Sequence, residues 1–319
     1  MIYGTIAGID KPASRLAQGT VMVSTGDMDY TCTILDAAFE LGITVYDTAH
    51  IYGGGDNERA VGRWINERGI HDQVIILGKG AHHNEDRNRV TPFDITADLY
   101  DSLARFKTGY IDLYLLHRDD PEMPVEPIVE TLNMHLQAGL IRAFGGSNWS
   151  YERVRAANKY AEEAGLVGFA ASSPHFSLAE QYNEPWGGCL TLTGEKNREA
   201  RDWYEKTQMP IFSWSSVAQG FFSGKLTREN FQNPEEHGME LTAHCFAGEE
   251  NFKRLDRAQE LAQKKGVSPV QLALAWVLHQ PMNMFPLVGS WRPEEAKANA
   301  EALDISLTPE EVKWLNLED

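Results

Sequence analysis

The strongest constraint on this chain's fold is an alternation that runs through it, in which short apolar or β-branched runs are separated by longer amphipathic stretches. TVMV precedes TILDAAFELG, ITVYD precedes NERAVGRWINERG, VIILGKG precedes ITADLYDSLARF, IDLYLLH precedes PIVETLNMHLQAG, and IRAFGGS precedes YERVRAANKYAEEAG. GFAASS, PIFSWSS and MFPLVGS bring the strand-like segments to eight, with PVQLALAWVLHQ and EEAKANAEAL helical near the end. Strands covered on both faces by crossover helices read as nearly continuous apolar runs, and VIIL, IDLYLL and PIFSW do so. Such alternation specifies a parallel α/β fold. A doubly wound sheet shares the rhythm, but no GxGxxG follows the first strand. The repeat count therefore predicts a (β/α)8 TIM barrel, one domain over residues 1–319. Residues 174–200 and 220–250 interrupt the rhythm and are expected to be long loops after strands 6 and 7.

In a parallel barrel, the carboxyl ends of the strands and the loops after them share one face, where chemistry is assembled. Asp47 ends ITVYD, Lys79 follows VIILG, His117 ends IDLYLLH, and Ser147 and Asn148 follow IRAFGG. A buried charge costs several kcal/mol unless paired, so polar residues at four neighbouring strand ends are hard to attribute to packing. Taken singly, Asp47 and Lys79 can be a structural ion pair, Tyr52 a cap on a glycine turn, and His117 a satisfied core histidine. Taken together they form a proton-donating set. A tyrosine, with a reference pKa of about 10, is a poor acid near neutrality, and a nearby ammonium lowers that value. Lys79 is placed to supply the ammonium and Asp47 to hold it. His117 is placed to donate to a substrate oxygen or take part in proton transfer. Acid catalysis of this kind calls for a hydride donor.

DTAHIYGGGDNERAVG, ILGKG, DLYLLHRDD and FGGSNW resemble, in order and spacing, segments of the aldo-keto reductases over nearly the whole chain. The resemblance implies reduction of an aldehyde or ketone by a nicotinamide cofactor held across the barrel mouth without a Rossmann domain. It implies Tyr52 as proton donor, Lys79 and Asp47 as the residues tuning it, and His117 as the residue orienting the carbonyl. Gly19, Thr20, Asp47, Ser147, Asn148 and Ser173 would meet the nicotinamide end. Trp214 would stack on the ring, with Ser215, Ser216, Val217, Gly220 and Lys225 along the pyrophosphate. In PLVGSWRPEEAKANAEA, the resemblance puts Gly289, Ser290, Arg292, Glu295 and Asn299 around the adenosine phosphate. A helix N-terminus suits an anion, and Arg292 can fork onto a 2′-phosphate. Two departures stand out: Glu295 where many members carry arginine, and Ser173 where glutamine is common. A glutamate opposes a 2′-phosphate but can accept from a 2′-hydroxyl, so NADP(H) is expected to be preferred and NAD(H) possible.

The substrate site is expected to involve Tyr52, His117 and Trp149, rimmed by AHHNEDRNR and by His175, Tyr182, Trp186 and Phe221. Mixed polar and aromatic lining suits a sugar or other hydroxylated carbonyl. The same fold also allows a nicotinamide-binding regulatory or sensor subunit with little turnover. Asp+Glu outnumber Lys+Arg by 46 to 29, for a net charge of −17. Such a field disfavours nucleic acid and anionic membranes as partners. Cys32, Cys189 and Cys245 lack metal-site or disulfide-scaffold spacing, and His82 and His83 are adjacent, so no metal site is expected. No signal-peptide pattern opens MIYGTIAGIDKPASR and no apolar run approaches a membrane span, which gives a cytoplasmic expectation. The sequence lacks a readable assembly signal.

Overall fold

A computed structural model describes residues 1–318. The chain opens with an antiparallel hairpin that the βα rhythm does not announce, β1 (Tyr3–Ile6) and β2 (Ile9–Ser14). Its turn depends on Gly8, whose φ of 86° is left-handed and whose added Cβ would lie 2.8 Å from the carbonyl oxygen of Arg142. Ile6 and Ile9 are buried with Val45, Ile75, Leu77, Leu113, Leu115, Phe212 and Phe285, so the hairpin plugs the apolar interior of the sheet that follows.

That sheet comprises β3 (Ala17–Gly19), β4 (Val45–Asp47), β5 (Ile75–Gly80), β6 (Ile111–Leu116), β7 (Ile141–Ser147), β8 (Ala171–Ser173) and β9 (Leu287–Val288). The strands pair in parallel in the order β8, β7, β6, β5, β4, β3, β9. PIFSW closes the gap between the two edges: Ile211 bridges Ser172 on one side and Met284 on the other. Phe212 N donates to Ser172 O and Phe285 N to Ile211 O, each at 2.8 Å. The result is the (β/α)8 barrel. Its first strand is Ala17–Gly19, ahead of the expected TVMV, which instead turns over the strand ends. Thr20 N donates to Asp47 O at 3.0 Å, Val23 N donates back to Thr20 O at 3.0 Å, and Val21 is exposed.

Helices α1 (Met28–Glu40), α2 (Asp56–Arg68), α3 (Pro92–Phe106), α4 (Val125–Gln137), α5 (Tyr151–Ala164) and α6 (Arg198–Thr207) return the chain between strands. α7 (Glu240–Phe246), α8 (Glu249–Lys265), α9 (Pro269–Leu278), α10 (Pro293–Glu301) and α11 (Pro309–Leu315) complete the set. Their starts are chemically marked. Thr91 caps α3, Ser150 caps α5, and Ser268 with Gln271 and Thr308 with Glu311 form capping boxes, with proline in the first turn of α3, α9 and α11. The outer core packs Trp64, Phe106, Phe144 and Tyr204 between helices and barrel. The long connections run over 174–197 and 215–239. Residues 198–200 belong to α6 and residues 240–246 form α7 within the stretches expected to be loop.

Candidate active site

Asp47 at the end of β4 and Lys79 within β5 are brought together by the stagger of neighbouring parallel strands, where Asp47 pairs in register with Leu77. Lys79 Nζ donates to Asp47 Oδ1 and, at 2.9 Å, to the carbonyl oxygen of Thr48. Their side chains are 3% and 6% exposed, so the pair lies out of water. Behind it, the Thr20 hydroxyl lies 2.8 Å from Asp47 O and 3.0 Å from Asn57 Oδ1, and Asn57 Nδ2 donates to Thr20 O. The Thr20 side chain is fully buried and its hydroxyl is engaged in holding Asp47 from behind.

Tyr52 is held over this pair by the turn Tyr52–Gly55, in which Gly53, Gly54 and Gly55 have φ of 56°, 61° and 89° before α2 begins. Three successive left-handed residues are adopted at least cost by glycine. A Cβ on Gly55 would also run into the Arg105 guanidinium, which donates to His50 O and to the buried Glu58 carboxylate, both at 2.9 Å. Lys79 Nζ lies 5.4 Å from the Tyr52 ring centre. His117 stands edge-on to Tyr52, with ring centres 5.8 Å apart and planes at 79°, and His82 meets its other side at 4.9 Å.

Burial opposes the Lys79 ammonium, but the Asp47 carboxylate and then the Tyr52 hydroxyl more than offset it, leaving the lysine above its ordinary pKa. Burial raises the Tyr52 hydroxyl, and Lys79 pulls against it without cancelling it. The net direction is therefore upward, whereas the Lys79 charge alone predicts a lowered value. Tyr52 is a proton-bearing phenol at neutral pH. His117 is driven well below an ordinary histidine by burial, with Lys79, Arg118, His82 and His83 adding to it, so its ring is neutral. Its Nδ1 is buried and has no hydrogen-bond partner among the described residues. His82 is lowered to about 4, chiefly by burial, and is neutral as well.

The remaining expected contacts divide into those left facing the mouth and those absorbed by the protein. Trp214 is partly exposed, donates Nε1 to Asn148 Oδ1 at 3.2 Å and packs on His175. Asn148, with φ of 58°, also accepts from Leu190 N at 3.0 Å, and Ser147 donates to Ser173 O at 3.0 Å. Ser173 donates to Phe212 O at 2.7 Å and Ser216 to Ser213 O at 2.7 Å, so both hydroxyls are buried in barrel hydrogen bonds. Ser215, Ala218 and Gln219 adopt left-handed φ near 51°, followed by Gly220 at 83°. Such conformations are strained for residues with a Cβ and concentrate where backbone amides line a ligand site. Val217 is partly exposed and Lys225 exposed on the same loop. Across the mouth, β3 ends in Gly19 beside β9, after which Gly289 and Ser290 lead to Arg292 at the start of α10. That helix start has no side-chain cap. Asn299 Nδ2 donates to the buried Ser290 hydroxyl at 3.2 Å. The Arg292 fork is engaged by Glu295, at 2.6 Å from Nη2, and Glu295 also accepts from Trp291 N at 2.9 Å.

Trp149 does not rim a pocket. It is fully buried, donates to Arg118 O at 3.1 Å and packs against Phe169, because the indole fills the space above Gly146. His175 and Phe221 are likewise buried, while Tyr182 and Trp186 are exposed. Arg118, which sequence reasoning passed over, lies buried beside His117; the only signal for it was a cation ahead of two acids in HRDD. Among the described residues, no group of three His, Cys, Asp or Glu side chains is arranged to hold a metal, and no helix is long and apolar enough to cross a membrane.

A barrel that lacks a glycine-rich dinucleotide turn yet sets a phenol over a buried ammonium–carboxylate pair defines a class of barrel oxidoreductase. The chain belongs to the aldo/keto reductase family, whose sequence model matches residues 15–316. It is 29% identical to the aldo-keto reductase YhdN of Bacillus subtilis, over 99% of this chain and 93% of that protein. It is also 29% identical to a putative voltage-gated potassium channel subunit beta of Schizosaccharomyces pombe, over 91% of this chain and 84% of that one. Among solved structures, it superposes on the glycerol dehydrogenase AKR11B4 of Gluconobacter oxydans with a TM-score of 0.77. The two are 25% identical, with 98% of this chain and 94% of that chain covered.

Proposed function

We propose that this chain, folded as one barrel domain in the cytoplasm, reduces an aldehyde or ketone to the alcohol, with Tyr52 as general acid. The observation that carries the reading is the buried Lys79–Asp47 pair beside a protonated Tyr52 and a neutral His117. When bound, a nicotinamide nucleotide supplies the hydride. Trp214, Asn148 and the left-handed loop from Ser215 to Gly220 would hold its nicotinamide and pyrophosphate end. Ser290, Arg292 and Asn299 would hold the adenosine end. NADP(H) is the preferred form, with NAD(H) accepted because Glu295 occupies the Arg292 fork.

Tyr52 donates its phenolic proton to the oxygen that becomes the alcohol. Lys79, held charged by Asp47, stabilises the phenolate as it forms, which is where a raised ground-state pKa is brought down during reaction. Neutral His117 donates one N–H to the same oxygen and fixes the carbonyl's orientation. A hydroxylated aldehyde or ketone fits the polar and aromatic mouth, and the glycerol dehydrogenase relative supports that class. Tyr52→Phe should reduce NADPH-dependent turnover of such carbonyls by about 10²–10⁴-fold, the usual worth of a positioned general acid, with nucleotide binding retained. Undiminished turnover rules Tyr52 out as the acid.

A regulatory role for a nicotinamide-binding barrel is favoured by one observation, the likeness to the putative channel subunit. A panel of simple and hydroxylated aldehydes assayed for NADPH oxidation separates it from the reductase reading.

A further inference from the structure

Arg118 is buried, with 7% of its surface exposed, in the connection after β6 and next to His117. Of its guanidinium donors, Nη1 reaches His117 O at 2.9 Å and Nη2 reaches only the weak acceptor Cys189 Sγ at 3.7 Å. Nε is buried with no hydrogen-bond partner among the described residues. None of the carboxylates among those residues lies within 4.0 Å of it. The acid that follows it in sequence is taken: Asp119 receives both arms of Arg153, at 2.9 Å each. Two further carboxylates at this end of the barrel are also taken, Asp47 by Lys79 and Asp98 by Arg89. A guanidinium largely removed from water without a counter-charge is costly, and a fold retains one where something else supplies the anion.

The direction in which Arg118 acts is toward the reacting centre. Its guanidinium is bonded to the backbone of His117, whose ring meets Tyr52 and His82 at 5.8 and 4.9 Å, and its charge bears on all three groups. With His82 and His117 neutral and Lys79 matched by Asp47, the unmatched positive charge of this pocket is that of Arg118. We propose that Arg118 is a specificity-determining residue whose guanidinium receives a carboxylate or phosphate group borne by the carbonyl substrate, while Tyr52 and His117 hold its carbonyl oxygen. The substrate class is thus an anionic aldehyde or ketone. This inference rests on the reductase reading above.

The test compares matched pairs with NADPH, succinic semialdehyde against butanal and glyceraldehyde 3-phosphate against glyceraldehyde, for the unmodified protein, Arg118→Gln and Arg118→Lys. The anionic member should be favoured in kcat/KM by about 100-fold, as charge-assisted pairing in a desolvated site allows. Arg118→Gln should erase that preference and leave the neutral member within about threefold, and Arg118→Lys should fall between, having the charge without the fork. Whichever anion shows the larger preference identifies the group. Because Arg118→Gln removes an unpaired charge, its melting temperature should not fall. Equal treatment of the pairs by the unmodified protein, or an equal loss for both members in Arg118→Gln, overturns the assignment. Should no carbonyl turn over, the reductase reading fails separately. Calorimetric titration of succinate and inorganic phosphate then decides: binding abolished in Arg118→Gln sustains the anion site, and binding that is absent or unchanged overturns it.

Discussion

Replacing Lys79 by methionine separates a catalytic ion pair from a scaffolding one. The substitution leaves Asp47 buried without its cation and removes the donor to Thr48 O. Breaking a buried pair from one side costs about 3–5 kcal/mol, because an uncompensated charge remains. Adding Asp47→Asn removes that charge, and what remains is the unmet Thr48 carbonyl, about 1–3 kcal/mol. The double variant should therefore regain about 2 kcal/mol in urea denaturation relative to Lys79→Met. Activity should behave differently. Without the ammonium, burial of the Tyr52 hydroxyl loses its main counterweight, with Arg118 alone left to pull against it, so kcat should fall by about 10²–10⁴-fold in the single variant and stay down in the double. Steady-state kinetics and urea melts on the same preparations read both quantities. Recovery of kcat together with stability in the double variant would make the pair a structural support for Tyr52 and nothing more.

Two further outcomes follow from the same electrostatics. Glu295→Gln frees the exposed Arg292 fork, so the ratio of NADPH to NADH affinity should rise by about 3–10-fold in fluorescence titrations, less at high salt; an unmoved ratio means that Glu295 does not govern the phosphate. His175 is lowered by burial to about 3, against about 6.5 for the unfolded chain. With the folded value depressed, the unfolded state takes the proton first. Stability is therefore full above about pH 6.5 and declines as pH falls toward 3, by about 2 kcal/mol from His175 between pH 7 and pH 5. Denaturation of His175→Gln at the two pH values should show a decline smaller by that amount, and an identical decline removes His175 as its source.

The barrel was legible because its signals are local. Each buried strand is a short apolar run, each return helix is amphipathic, and the polar residue ending a strand stands out against both. The grouping of Asp47, Lys79 and His117 at neighbouring strand ends was legible for the same reason. What escaped the sequence depends on contacts distant along the chain. The β1–β2 hairpin interleaves Asp10, Lys11 and Pro12 with its apolar residues and reads as loop until its plug position inside the barrel is seen. TVMV has strand composition but spends its backbone turning over Asp47. Trp149 and Ser216 sit where a mouth residue is expected, yet one fills the space over Gly146 and the other bonds to Ser213. Arg118 was the hardest to see, since HRDD offers two adjacent acids. Only the three-dimensional pairing of Asp119 with Arg153 shows that the nearer one is unavailable.

Lys79 and Arg118 obey one electrostatic rule with opposite outcomes. Both are cations largely withdrawn from bulk water, and each gains from meeting an anion. For Lys79 the anion is Asp47, supplied by the neighbouring strand and locked from behind by Thr20 and Asn57, so its charge is fixed whether or not a substrate is present. For Arg118 the fold supplies a carbonyl and a sulfur but no carboxylate, so its charge is complete only when a ligand brings one. A preset cation belongs beside the group whose proton must move, because its field cannot be allowed to vary with occupancy. An unmet cation belongs where selection is made, because its gain is withheld from any ligand lacking the anion. The surrounding surface, at a net charge of −17, repels anions at large. The unmatched charge at the barrel mouth then becomes the place where an anionic carbonyl is distinguished from a neutral one.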